Sequence, residues 1–313
     1  MRVAAVDLGT NSTRLLVADV VDGSVAELAR RLEITRLGEG VDARGRLLPA
    51  AIARVRACLA EYGRVAEALG AERKLAIATS AVRDAENGKA FLREIERSHG
   101  FATRLLSGDE EAALTFRGVT SGRAVAEGTL VVDIGGGSTE LVLGGPAGVS
   151  WAASLQIGSV RLTERFLASD PPAPPELEAC AQHVRASLPG LEPAAAIGVA
   201  GTVTTLATLD LGLERWDPER THGHRLAREA VAAQLERLAA LPLARRERVP
   251  GLEPARAPVI VAGALILREL MAVYGLREIE TSERDILHGA ALAAAELPAR
   301  EKGAAPPDAY TCR

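Results

Sequence analysis

Apolar positions along the chain fall into two kinds of run. Short unbroken stretches, such as Val3-Ala4-Ala5-Val6, Thr129-Leu130-Val131-Val132 and residues 74–79, have the length and content of buried strands. Longer stretches carry apolar side chains at helical spacing. Residues 48–69 place Ile52, Val55, Leu59, Tyr62, Val65 and Leu69 on one face, and Gly70 ends the run. The same reading predicts strands within 24–36 and at 103–106, 149–155, 194–200 and 278–281. It predicts helices at 90–99, from Ser107 to about Val119, from the stiff Pro-rich connector at 170–175 to about Leu188, and at 226–241, 258–274 and 284–296. Residues 158–166 read as a loop entering a helix, and 201–206 as a turn into the next one. Strands alternating with helices predict an α/β chain with mixed sheets.

Within this pattern one stretch occurs twice. Asp7-Leu8-Gly9-Thr10-Asn11-Ser12-Thr13-Arg14-Leu15 returns, 126 positions on, as Asp133-Ile134-Gly135-Gly136-Gly137-Ser138-Thr139-Glu140-Leu141. Each copy follows one apolar run and precedes another, so each predicts a hairpin with a carboxylate ending its first strand. A glycine turn lets backbone N–H groups approach an anion closely, and the carboxylate can hold a divalent cation. Two such hairpins facing each other would clamp phosphate from both sides. Duplicated halves flanking a cleft follow as the economical architecture. The first domain is expected at 1–123, completed by the helix at 284–297, and the second at 124–283, with a loose tail at 298–313.

Composition narrows the function. With 313 residues, about two ordinary domains fit. A net charge of −4 argues against a nucleic-acid binder that works by general attraction to phosphate. Aromatics make up 3%, so the core must rest on Ala, Val, Leu and Ile. Cys58, Cys180 and Cys312 are too scattered for a disulfide framework or a zinc site, and they suit a reducing cytoplasm. No segment reads as a membrane span or an export signal. His222-Gly223-His224 lacks further ligand spacing and reads as a structured loop, and the chain has no P-loop motif.

The repeated hairpins resemble the two phosphate loops of the actin/Hsp70/sugar-kinase superfamily. Asn11-Ser12, and Gly135-Gly136-Gly137-Ser138-Thr139-Glu140, resemble one branch of it, the exopolyphosphatases and guanosine pentaphosphate phosphohydrolases. Residues 78–83 (Ala-Thr-Ser-Ala-Val-Arg), 107–112 (Ser-Gly-Asp-Glu-Glu-Ala), 158–164 and 198–202 agree with that branch in the expected order, over about residues 1–296. The resemblance implies two ribonuclease H-like (actin-like ATPase) α/β domains with mixed sheets flanking a cleft. It implies Mg²⁺-dependent removal of the terminal phosphate of inorganic polyphosphate. The variant reading is hydrolysis of the 5′-phosphate of guanosine pentaphosphate (pppGpp). Rivals of another class are a superfamily small-molecule kinase and a non-catalytic alarmone or nucleotide sensor. A cytoplasmic enzyme, as a homodimer and without nucleic-acid or membrane partners, is the accompanying expectation.

Hydrolysis of a phosphoanhydride needs charge neutralisation, an in-line water and a group to deprotonate or orient it. The resemblance puts the catalytic glutamate on Glu111 with Glu110 beside it, although in isolation both are acids suited to a helix's first turn. Glu140 is the second candidate, Asp7 and Asp133 the metal-side carboxylates. Phosphate contacts fall to Gly9, Thr10, Asn11, Ser12, Gly135, Gly136, Gly137, Ser138, Thr139, Gly201 and Thr202. Arg83 would grip phosphate from the end of a buried strand. Arg14 and Arg161 are weaker versions of the same idea, with a surface salt bridge as the equal alternative. Residues 282–289 depart from the Leu-Arg-Glu-Gly run of many members, leaving Arg284 and Asp285 as the substitutes at hand.

Overall fold

The structure, a computed structural model, describes residues 1–298. The first half forms strands β1 (Arg2–Leu8), β2 (Thr13–Val21), β3 (Ser24–Glu33), β4 (Arg73–Ala78) and β5 (Ala102–Leu105). Its helices are α1 (Val41–Arg44), α2 (Pro49–Ala68), α3 (Ser80–Arg83), α4 (Gly88–His99) and α5 (Gly108–Thr120). The second half adds β6 (Thr129–Ile134), β7 (Thr139–Gly145), β8 (Gly148–Leu155), β9 (Ala195–Val199), β10 (Arg225–Ala227) and β11 (Glu278–Thr281). Its helices are α6 (Ser159–Phe166), α7 (Pro174–Ser187), α8 (Ala200–Asp210), α9 (Pro218–Thr221), α10 (Arg228–Ala239), α11 (Leu243–Arg246), α12 (Ile260–Val273) and α13 (Ile286–Glu296).

The strands make two mixed sheets in the orders β3-β2-β1-β4-β5 and β10-β11-β9-β6-β7-β8. Each contains an antiparallel three-strand meander, β1–β3 or β6–β8, whose first strand pairs in parallel with the next strand in the sheet, β4 or β9. The duplication seen in the turns is therefore a duplication of topology. A central strand buried on both faces reads as a continuous apolar run. On β1, Val3 and Ala5 enter one hydrophobic cluster while Ala4, Val6 and Leu8 enter another with Val55, Leu59 and Tyr62 of α2.

Two helices cross between the halves. Although α5 follows the first sheet in sequence, its Ala112, Phe116 and Val119 pack with Val131, Val142, Ile197 and Val199 of the second. Conversely, α13 places Ile286, Leu287, Ala290 and Ala291 against Val3, Ala5, Leu16 and Ile77 of the first. Where the two helices meet, backbone touches backbone. A Cβ on Gly118 would lie 1.9 Å from the Asp285 carbonyl oxygen, and one on Gly289 would lie 2.0 Å from that of Leu114.

Differences from the sequence reading are local. Leu226 belongs to β10, paired with Ile279, so the helix expected from residue 226 starts at Arg228. The short edge strand buries Leu226 by pairing, a signal that helical spacing cannot carry. The segment at 158–166 is helical from Ser159 onward. The tail expected at 298–313, Cys312 included, lies outside the described residues except for Pro298. Among the described residues no helix is long and apolar enough to cross a membrane.

The backbone contact makes a direct prediction. Gly289→Val should lower unfolding free energy by about 1–3 kcal/mol through overpacking, measured by urea denaturation. Gly63→Ala in α2, where a Cβ meets nothing within 4 Å, should hold or slightly raise stability.

Candidate active site

The two repeated turns close in the same way. Gly9 N–H donates to the Ser12 carbonyl at 3.0 Å, and Gly135 N–H to the Ser138 carbonyl at 3.0 Å. Strand register then sets Asp7 opposite Arg14 in one hairpin and Asp133 opposite Glu140 in the other. The turns also meet each other. A Cβ on Gly136 would lie 2.9 Å from Thr10 Cβ, and one on Gly137 would lie 2.1 Å from Ser80 Oγ. Only bare backbone fits there, so these glycines serve close approach. Above the turns opens a cleft of about 630 Å³, lined among others by Asp7, Asn11, Ser138, Asp133, Glu140 and Glu111.

Asp7, Asp133, Glu140 and Glu111 are all buried in this cleft, each with a different set of partners, and Glu283 and Asp285 are buried in its lining as well. Arg14 Nε and Nη2 both donate to Asp7 Oδ2, at 3.0 and 2.6 Å, while Asp7 Oδ1 is buried without a hydrogen bond. Thr115 Oγ1 of α5 donates to Asp133 Oδ2 at 3.3 Å. Ser154 Oγ of β8 donates to Glu140 Oε1 at 2.7 Å, and Glu140 is only 1% exposed. Arg83 Nη1 donates to Glu111 Oε2 at 3.1 Å.

Burial disfavours the charged forms, and the carboxylates reinforce this by mutual repulsion. Asp133 is pushed up to about 8, first by burial and then by Glu140, against the pull of Arg14. Glu111 is raised well above the ordinary carboxylate range by burial and by Glu140, with Arg83 opposing. Burial also raises Glu140 and Asp7.

The structure sorts the remaining candidates. Gly9, Thr10, Asn11, Ser12, Gly135, Gly136, Gly137, Ser138, Gly201 and Thr202 line the cleft. Thr139 does not; its hydroxyl donates to the Ile157 carbonyl. Glu110 and Glu111 point apart, as neighbours on a helix must. Glu110 completes a capping box with Ser107 and pairs with Arg104 at 2.7 Å, outside the cleft lining. The structure thus places Glu110 at the helix cap, away from the cleft. Arg83 is likewise not part of the lining; it reaches the Leu106 carbonyl at 2.9 Å and Glu111, and so orders the glutamate. Arg161 lies outside the lining, in a largely buried ion-pair cluster. It donates to the Gly137 carbonyl at 2.7 Å and to Asp42 and Asp84, tying the second half to the first.

Two residues went unread in the sequence. β9 runs into α8 through Ala200, whose φ of 65° is left-handed and costly for a residue with a Cβ. Against Gly201 lies the guanidinium of Arg256, since a Cβ there would come within 1.8 Å of its Nη1. That guanidinium lines the cleft with its side chain 15% exposed and its nearest carboxylate, Glu253, at 3.5 Å. No motif surrounds Arg256; it comes from a 3₁₀ turn 55 residues after Gly201. Trp216, 43% exposed, stands on the same cleft wall and bonds Glu283 through its indole N–H at 3.0 Å. Of the pair at 284–285, Asp285 lines the cleft, whereas Arg284 turns away to Ser121. His222 accepts from the Glu283 N–H, and His224 pairs with Asp210, which makes that segment a structured loop.

Two mixed α/β domains that close glycine turns on a carboxylate-lined cleft define a phosphate-handling protein of the actin-like ATPase fold. Within that class, the chain belongs to the Ppx/GppA phosphatase family, whose model matches residues 16–296. It is 39% identical to exopolyphosphatase 2 of Mycobacterium tuberculosis, over 94% of this chain and 98% of that one. The crystal structure of an exopolyphosphatase-like protein superposes with a TM-score of 0.88 at 34% identity, covering 93% of this chain and 98% of the other. The Aquifex aeolicus Ppx-GppA enzyme superposes with a TM-score of 0.81 at 31% identity, covering 94% and 99%.

The raised carboxylates predict a pH dependence. Asp133 goes from an unfolded value of 3.8 to about 8 when folded, so the native state binds the extra proton between these limits. Its contribution to stability is complete below about pH 4 and is lost as pH rises through about 8. Unfolding temperature of the cation-free protein should therefore fall across this window, and Asp133→Asn should flatten the decline. A profile unchanged by the substitution would contradict the assignment.

Proposed function

We propose that this protein is an exopolyphosphatase that hydrolyses the terminal phosphoanhydride of inorganic polyphosphate with a divalent cation. The observation that carries the reading is the burial of Glu111, Asp133 and Glu140 in one cleft beside two bare-backbone turns. Glu111 is the general base. Burial and Glu140 raise its affinity for protons, which suits it to take one from water, and Arg83 holds its orientation. It takes a proton from a water whose oxygen bonds to the terminal phosphorus. The bridging oxygen leaves with the shortened chain. Glu140, fixed by Ser154, orients that water from the opposite strand. Backbone N–H groups of the two turns, Asn11, Ser12 and Ser138 receive the phosphoryl oxygens. Gly201, Thr202 and Arg256 receive the phosphate that follows.

Asp7 and Asp133 would hold the cation. The donors in the cleft are hard carboxylate oxygens, and Asp7 Oδ1 is buried and unpartnered. Among the described residues no group of three or more His, Cys, Asp or Glu forms a ready cage. That suits Mg²⁺, which takes one or two carboxylates and keeps water and substrate phosphates for the rest. When bound it supplies neutralising charge to the phosphoryl group.

Guanosine pentaphosphate is the second reading. Trp216, exposed on the cleft wall, offers an aromatic face that a nucleobase can stack on and polyphosphate cannot use. The same reading places the protein in the cytoplasm, where the buried free thiols of Cys58 and Cys180 stay reduced, and makes it a homodimer. Sedimentation velocity tests that assembly.

Phosphate release from short polyphosphate, long polyphosphate, guanosine pentaphosphate and ATP, each with Mg²⁺, separates these substrates. No release from the first three would sink the phosphatase reading. Glu111→Ala should lower kcat by about 10²–10⁴-fold while binding is largely kept, and Glu110→Ala should stay near the parent rate. Arg256→Ala should raise KM for polyphosphate by about ten-fold or more, with a smaller effect on kcat.

A further inference from the structure

Arginine paired with a lone carboxylate normally makes two parallel bonds, one to each oxygen. Arg14 does not treat Asp7 this way. Its Nε and Nη2 both fall on Oδ2, at 3.0 and 2.6 Å, and Oδ1 is left buried without a partner. The third nitrogen, Nη1, donates to Asp285 Oδ2 on the other side of the guanidinium. Two carboxylates thus hold one planar group between them, and neither can be chelated by it.

Asp285 is itself anchored. Its Oδ1 accepts the Leu287 N–H at 2.9 Å, capping α13, and its own N–H donates to His288 Nδ1 at 3.3 Å. His288 Nε2 lies 3.0 Å from Glu27 Oε1 on β3. The chain Glu27–His288–Asp285–Arg14–Asp7 therefore runs from an edge strand to the cleft, and its last four members are almost wholly out of water. Burial opposes the charge on Asp285, yet Arg14, His288 and Arg30 together keep it ionised.

We propose that Asp285 is a positioning residue that holds Arg14 to one oxygen of Asp7 and so keeps Oδ1 open to a divalent cation. The inference rests on the reading of Asp7 as a cation-side carboxylate. In Asp285→Asn the guanidinium is released to turn and cover both Asp7 oxygens, while asparagine still caps α13.

The test measures Mn²⁺ binding by calorimetry in the presence of a methylene-bridged tripolyphosphate, alongside the Mg²⁺ concentration for half-maximal turnover. Asp285→Asn should weaken Mn²⁺ binding by about 10–100-fold and raise the Mg²⁺ requirement, with Asp285→Glu restoring much of both. In an Arg14→Met background, Asp285→Asn should change Mn²⁺ binding little, because the residue acts through Arg14. His288→Gln, which loosens the anchor and leaves the carboxylate, should give a smaller loss in the same direction if Asp285→Asn folds poorly. If Asp7→Asn abolishes Mn²⁺ binding while Asp285→Asn and His288→Gln leave it intact, the positioning role is overturned. An equal loss from Asp285→Asn with and without Arg14 overturns it as well. If Asp7→Asn itself leaves Mn²⁺ binding intact, the reading of Asp7 fails and the inference goes with it.

Discussion

Crowding carboxylates out of water into one cleft, Asp7, Asp133, Glu140 and Glu111 foremost, is the constraint on which the rest of this structure depends. An isolated buried carboxylate is expensive, and several together are worse because they repel. The fold answers by giving each a partner from a separate element. Arg14 of β2 serves Asp7, Thr115 of α5 serves Asp133, Ser154 of β8 serves Glu140, and Arg83 of α3 serves Glu111. The remaining strain appears as raised proton affinity at Asp133, Glu111 and Glu140. A site with that much unspent negative charge is suited to a cation and to taking a proton from water.

The duplication explains the phosphate cradle but not the chemistry. Both turns close through the same backbone hydrogen bond, and Gly136 and Gly137 of the second press against Thr10 of the first. At the next cross-strand position the copies diverge, with Arg14 facing Asp7 and Glu140 facing Asp133. One hairpin is internally neutralised; the other stacks like charges and becomes proton-hungry. A symmetric clamp has acquired one neutralised and one acidic wall through the residue that faces each aspartate.

The two halves are tied by exchange and by ion pairs. α5 leaves the first half to lie on the second sheet and carries Glu111 with it, and α13 returns to the first sheet with Asp285 at its cap. Arg161 joins the second phosphate turn to Asp42 and Asp84 of the first half. Any change in the relative placement of the halves must therefore move Glu111 against Asp7, and Asp285 against Asp133. The proposed hydrolysis needs Glu111 and Asp7 in one cleft, so it depends on that placement.

Much of this was legible from local pattern. Strands with continuous apolar runs, α2 with its helical stripe, and the two turns with their 126-residue offset announce themselves, because strand burial, helix amphipathicity and glycine turns are short-range properties. Asp7, Asp133 and the turn residues belong to that local code, and Glu111 came from a motif resemblance. What the sequence could not carry are directions and long-range encounters. Which of two adjacent glutamates enters the cleft depends on how α5 is rotated on β6–β8, and Glu110 proved to be the cap. That Arg83 and Arg161 order the protein instead of lining the cleft depends on carboxylates and carbonyls 23 to 119 residues away. Arg256 carries no motif, and Asp285 was legible only as a substitute in a segment that departs from the family's run; packing alone brings them to Gly201 and Arg14. The sequence by itself determined the strands, the turns and the chemical kind of the site. The tertiary structure decided which charges face each other, because that is set by helix rotation and domain exchange, which no local spacing encodes.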